Sequence, residues 1–100
     1  MDWFAVRHVI ENDGSFEERI TLWETASEDE AIARAEEEAR AYVSALGDPM
    51  KILGLFQSYR LSDPPRQGCE VFSLIRRSPL PSEDYLATFF DTGDELQRTE

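Results

Sequence analysis

The dipeptide Asp13-Gly14 constrains this chain more than any other feature. It stands between two runs rich in β-branched and aromatic residues, WFAVRHVI at 3–10 and FEERITLWETA at 16–26. Asp-Gly between two such runs is a strong hairpin signal, because both turn residues must take backbone angles that other side chains resist. The register then depends on loop length. A two-residue loop at Asp13-Gly14 sets Ile10 against Glu17 and Val6 against Thr21. A three-residue loop over 13–15 sets His8 against Ile20 and Val6 against Leu22. The second choice gathers Phe4, Val6, His8, Ile10, Ile20 and Leu22 on one face, and burial favours it. The opposite face then carries Trp3, Ala5, Arg7, Val9, Arg19, Thr21 and Trp23.

The segment after the hairpin reads as a long helix. Ser27-Glu28-Asp29-Glu30 has the pattern of a capping box, with Ser27 as N-cap, and three acids in the first turn suit the helix dipole. Apolar residues recur at Ala31, Ile32, Ala35, Ala39, Tyr42, Val43 and Leu46, a stripe of period 3.6. Glu30 with Arg34 and Glu36 with Arg40 are supportive i,i+4 pairs. Gly47 suits a left-handed C-cap, and Pro49 forbids continuation.

Two further runs, MKILGLFQSYRL at 50–61 and CEVFSLIRR at 69–77, read as a second pair of strands. Ser62 to Gly68 joins them as a long loop containing Pro64 and Pro65. After Ser78-Pro79-Leu80-Pro81, a short helix is expected over 82–90, with Tyr85, Leu86, Phe89 and Phe90 packing inward and Thr92-Gly93 ending it. The expected fold is therefore α+β, in the order ββαββα. One four-stranded antiparallel sheet carries the long helix on one face, and a short helix closes the chain. Residues 1–93 form one domain, and 94–100 form a polar, frayed tail.

Charge bears on function. The 100 residues carry a formal net charge of −11, from 10 Lys and Arg against 21 Asp and Glu. Residues 1–50 hold four basic and 13 acidic side chains, and residues 51–100 hold six and eight, so the acidity lies mainly in the first half. Nucleic-acid binding needs a basic surface to displace counterions, and anionic membranes need the same, so neither partner is expected. The single cysteine, Cys69, excludes an intrachain disulfide and a thiolate zinc site. Residues 1–25 show no apolar leader, and no apolar run approaches the ~20 residues of a membrane span. A soluble cytoplasmic protein without cofactor or metal is expected.

Candidate sites are few. His8 is the only histidine and the natural first suspect for acid–base work. No nucleophile spacing surrounds it, so a structural histidine is the simpler account. Glu17 and Glu18 point to opposite faces of a strand and cannot act as a pair. Glu36, Glu37 and Glu38 fan around a helix rather than converge on a metal. Cys69 has no basic neighbour to lower its pKa. The strongest candidate is an aromatic sheet face with Trp3, Arg7, Arg19, Trp23 and Tyr59. Aromatics flanked by arginines make good interface anchors.

The stretch Phe16 to Trp23 precedes an acidic Ala/Glu helix. The stretch Gly68 to Arg76 precedes Asp84 to Gly93. Together they resemble the small bacterial family called domain of unknown function 4288, over most of the chain. The resemblance implies a stand-alone bacterial domain. The family brings no established activity, so it assigns no site residue.

Three functions fit these features. The first is a non-enzymatic protein-interaction module that self-associates through its sheet, as a homodimer. The second is an acidic inhibitor or immunity-type protein, whose face of Glu28, Asp29, Glu36, Glu37 and Glu38 binds a basic partner such as a nuclease toxin or DNA-binding protein. The third is a small-ligand binder or enzyme using His8 with Arg7 and Arg19.

Overall fold

The computed structural model describes residues 1–47 and 50–97. It shows an α+β fold: β1 (Asp2–Asn12), β2 (Ser15–Thr25), α1 (Glu28–Leu46), β3 (Met50–Ile52), β4 (Gln57–Arg60), α2 (Ser82–Tyr85) and a π-helical turn (Leu86–Phe90). All four strands belong to one antiparallel sheet. β2 flanks one side of β1, and β3 and β4 share the other.

The hairpin closes through the two-residue loop. Asp13 and Gly14 both have positive φ, 49° and 89°, the type I′ geometry whose twist matches the flanking strands. Asn12 therefore faces Ser15, Ile10 faces Glu17, and Val6 faces Thr21. This overturns the three-residue register. Turn chemistry outweighed the count of apolar side chains. Phe4, Val6, His8 and Ile10 still line the helix face. Their β2 neighbours there are Trp23, Thr21, Arg19 and Glu17 rather than Ile20 and Leu22.

The helix begins as expected. Ser27 is extended (φ −151°, ψ 162°), and its hydroxyl accepts from the Glu30 amide at 3.1 Å. Buried Thr25 donates its hydroxyl to the Ser27 carbonyl at 2.7 Å, tying the strand exit to the cap. Ala31, Ala35 and Ala39 are fully buried. Methyl side chains at i, i+4 and i+8 form one row and let α1 approach the sheet closely. Arg34 reaches Glu30 at 3.6 Å, while Glu36 and Arg40 form no ion pair among the described residues. Gly47 donates to the Val43 carbonyl at 2.9 Å. Its φ of 86° with ψ of −169° lies outside the left-handed helical basin, in a region essentially reserved for glycine. Pro49 lies outside the described residues.

The run 50–61 is one strand broken in two. β3 pairs Ile10 with Ile52, whereas β4 pairs Phe4 with Arg60, so the register slips by two residues between them. Leu53 still donates to the Val9 carbonyl at 3.1 Å. The break places Phe56 against the core of Phe4, Val6, Ala31 and Ala35, which Trp23 and Ile32 also flank. Full burial of one such aliphatic or aromatic side chain contributes roughly 1.5–3 kcal/mol.

The expected strand at 69–77 is not formed. The neighbouring edge explains this. β4 offers four residues, and the broken stretch beyond it offers no ladder. Residues 69–77 instead form an irregular arm. The helix expected over 82–90 is present but widens after Tyr85, where Asp91 bonds back to the Leu86 carbonyl at 2.8 Å. None of its residues is buried, so the expected inward packing of Leu86, Phe89 and Phe90 does not occur. The radius of gyration is 15.4 Å, against about 13 Å for a compact domain of this length. In the expected polar tail, the Glu95 carboxylate accepts from the Thr92 and Gly93 amides at 2.9 and 3.1 Å. Residues 98–100 lie outside the described residues.

Candidate functional site

The two-residue loop sorts the candidate residues onto opposite faces. On the helix face, Arg19 sits beside His8, and Trp23 packs on the core with its indole N–H donating to Thr21 Oγ1 at 2.7 Å. On the other face lie Trp3, Arg7 and Tyr59, where Ala5 faces Tyr59 across the strands. The expected cluster of Trp3, Arg7, Arg19, Trp23 and Tyr59 is therefore split. Trp3, Arg7 and Tyr59 remain together, and Arg19 and Trp23 belong to the interior. The set of His8, Arg7 and Arg19 is split in the same way.

The helix face holds a polar network. Arg19 makes a two-pronged contact with Glu38, Nη1 to Oε1 at 3.0 Å and Nη2 to Oε2 at 2.9 Å. Its guanidinium lies 3.7 Å from the centre of the Tyr42 ring. The Tyr42 hydroxyl donates to the Glu17 carboxylate at 2.9 Å. The same guanidinium lies 3.4 Å from His8 Nε2. A guanidinium only donates, so Nε2 accepts and the imidazole proton sits on Nδ1. Nδ1 is buried and has no partner among the described residues. Phe56 stacks on the His8 ring, centroids 4.8 Å apart and planes within 12°.

Burial pushes the His8 pKa down, and the adjacent Arg19 charge pushes it further, against the opposing pull of Glu38 and Glu17. Hydrogen bonding to Glu38 is the main reason that Arg19 is held still more firmly protonated. His8 is thus a neutral imidazole sealed under Phe56. A general base must reach a substrate proton, and this ring is fully buried. The arrangement locks α1 to the hairpin. Glu17 with Arg19 on a strand, and Glu38 with Tyr42 on a helix, are the i,i+2 and i,i+4 spacings that could have revealed it.

The open face has a different character. Ile20 and Leu22 stand on it 47% and 39% exposed. Phe72 from the arm tilts against Tyr59 at 5.8 Å and lies under Arg7 at 5.2 Å. The Tyr59 hydroxyl donates to Glu70, a bond that raises its pKa. Beyond Phe72 the arm overlies the sheet without filling it. An open cleft runs between Arg7 and Glu18 on the sheet, Arg76 on the arm, Tyr85 on α2 and Phe89 on the π-helical turn. Arg76 stacks on Phe89 at 4.3 Å and donates to the Tyr85 hydroxyl at 3.0 Å. On α1, Glu28, Asp29 and Glu37 are exposed, Glu36 is half-buried, and Glu38 is committed to Arg19.

Among the described residues, no three His, Cys, Asp or Glu side chains converge on a metal-binding point, and no helix is long and apolar enough to cross a membrane. The fold and site define a small α+β protein with one sealed and one open sheet face. Comparisons with protein-family models, curated proteins and solved structures return no match for this chain.

Proposed function

We propose that this chain is a non-enzymatic protein-interaction module that self-associates through its sheet. The observation that carries the reading is the exposure of Ile20 and Leu22 on an edge strand, in a chain whose Leu74, Ile75 and Phe89 are exposed as well. Large apolar side chains left open on a sheet edge favour association. A two-fold dimer is the commonest product of such association. The single cysteine suits a reducing bacterial cytoplasm, which is where this reading puts the module.

Light scattering after gel filtration tests it. The expected result is a mass twice 11.5 kDa that persists at high salt. Ile20→Asp combined with Leu22→Asp should shift it to the monomer, and Glu37→Ala should not. A parent chain that stays at the single mass at every concentration overturns the reading.

A second reading rests on α1. Glu28, Asp29 and Glu37 form an exposed acidic surface suited to a basic protein partner, with fast, salt-sensitive association. Binding of such a partner unchanged by salt would exclude it.

A further inference from the structure

Two parts of this molecule lack a counterpart, and they fit each other. Among the described residues, the outer edge of β2 is unpaired along its 11 residues. A long open edge is a template for another strand. Residues 69–77 have strand-type composition, yet form no ladder with any described strand. The edge is acidic on its open face, with Glu18 and Glu24, and the arm ends in Arg76-Arg77.

We propose that residues 73–77 of one copy pair antiparallel along the free edge of β2 in a second copy, and reciprocally, giving a two-fold dimer with exchanged arms. This rests on the self-association reading above and names its contact. One register matches apolar and charged positions on the open face. Ile75, 94% exposed in the single chain, falls opposite Ile20. Ser73 falls opposite Leu22, and Arg77 opposite Glu18. On the other face Arg76 meets Arg19, whose charge is already matched by Glu38. Cross-strand pairs of these types stabilise a ladder, and the symmetry doubles them.

Geometry favours a second copy over the chain's own edge. Phe72 is held over β4 and β1 by Tyr59 and Arg7. A strand added outside its own β2 would lie two strand spacings from β1, roughly 10 Å away. One residue advances the chain by roughly 3.4 Å, so Ser73 cannot pair there while Phe72 stays in place. A second copy can bring its edge to the arm without breaking that contact.

Engineered cysteines read this directly. In a Cys69→Ser background, Ile20→Cys and Ile75→Cys are made in separate chains, mixed and oxidised. Directly opposed strand positions fall near disulfide geometry. A covalent heterodimer on a non-reducing gel is expected. Combining both cysteines in one chain should again give covalent dimer, and an internal disulfide in a monomer would overturn the exchange. Arg77→Glu, at an exposed position, should raise the dimer dissociation constant about tenfold through two like-charge contacts. Adding Glu18→Arg should restore it. A parent mass twice that of the chain, with no cross-link and no charge-swap rescue, overturns the exchange and leaves the self-association reading standing. A monomeric parent overturns both.

Discussion

The hairpin with α1 and the arm beyond residue 61 contain similar side chains and end in opposite states. In the first region Phe4, Val6 and Ile10 are buried. In the second, Leu74, Ile75, Phe89 and Phe90 are exposed. Hydrophobicity is therefore not what separates them. In the first region Phe4, Val6 and Ile10 sit on a strand paired along both edges and covered by α1, whereas Ile20 and Leu22, on the open face of the edge strand, stay exposed. The arm has apolar residues but no continuous edge on its adjoining strand, which is broken at Leu53 to Phe56. Burial follows backbone pairing, since an unpaired polar backbone resists leaving water.

The sharpest way to break this comparison is to place the same insult in both regions. Val6→Asp puts an unpaired charge into the core and should cost more than about 4 kcal/mol, abolishing cooperative urea unfolding. Phe90→Ser, at a residue 76% exposed, should change stability by less than about 0.5 kcal/mol. Comparable losses at the two sites would show that the C-terminal region is packed in solution and that the contrast is false.

A smaller effect separates the two regions by charge. Arg19 and Glu38 have side chains only 17% and 32% exposed, and Arg19→Ala leaves Glu38 without its partner and Tyr42 without the guanidinium on its ring. The expected loss is about 2 kcal/mol, reduced from the value for a fully buried pair because water still reaches Glu38. Arg66→Ala removes the loop contact with Asp63, in which both partners are more than half exposed, and the urea midpoint should barely move. Equal midpoint shifts would mean that the Arg19 network is no more than a surface pairing.

How much of this was legible in the sequence can be judged residue by residue. The capping box at Ser27, the alanine row of α1 and the Asp13-Gly14 turn are local, and local chemistry gives them away. The hairpin register is not local in the same sense. Counting apolar residues favoured Ile20 and Leu22 inward, and that count ignored Trp23, which fills the helix face instead. The error moved Arg19 and Trp23 to the wrong side and hid the polar network. The strand at 69–77 was equally invisible as an error, because its composition is correct for a strand. What it lacks is a partner edge, and the two-residue slip that removes that edge depends on where Phe56 packs.

His8 gives the finest test, because it asks whether the sealed face stays sealed to protons. Its folded pKa lies below the ordinary value of 6.5 through burial first and Arg19 second. An unfolded chain takes up the proton as pH falls through 6.5, while the folded chain does not. Stability associated with neutral His8 is therefore complete above that value and declines as pH falls below it, down to the folded pKa. The slope cannot exceed about 1.4 kcal/mol per pH unit for one group. Between pH 7.5 and 5.5 the parent should lose up to about 1 kcal/mol in urea titrations. His8→Gln removes the titrating group, and its curve should be flatter over the same interval. The arm offers a control, since Arg76→Gln leaves the interior unchanged and should keep the parental slope. A His8→Gln protein that retains the full decline would assign the acid sensitivity to other groups, and the sealed imidazole would then be open to water after all.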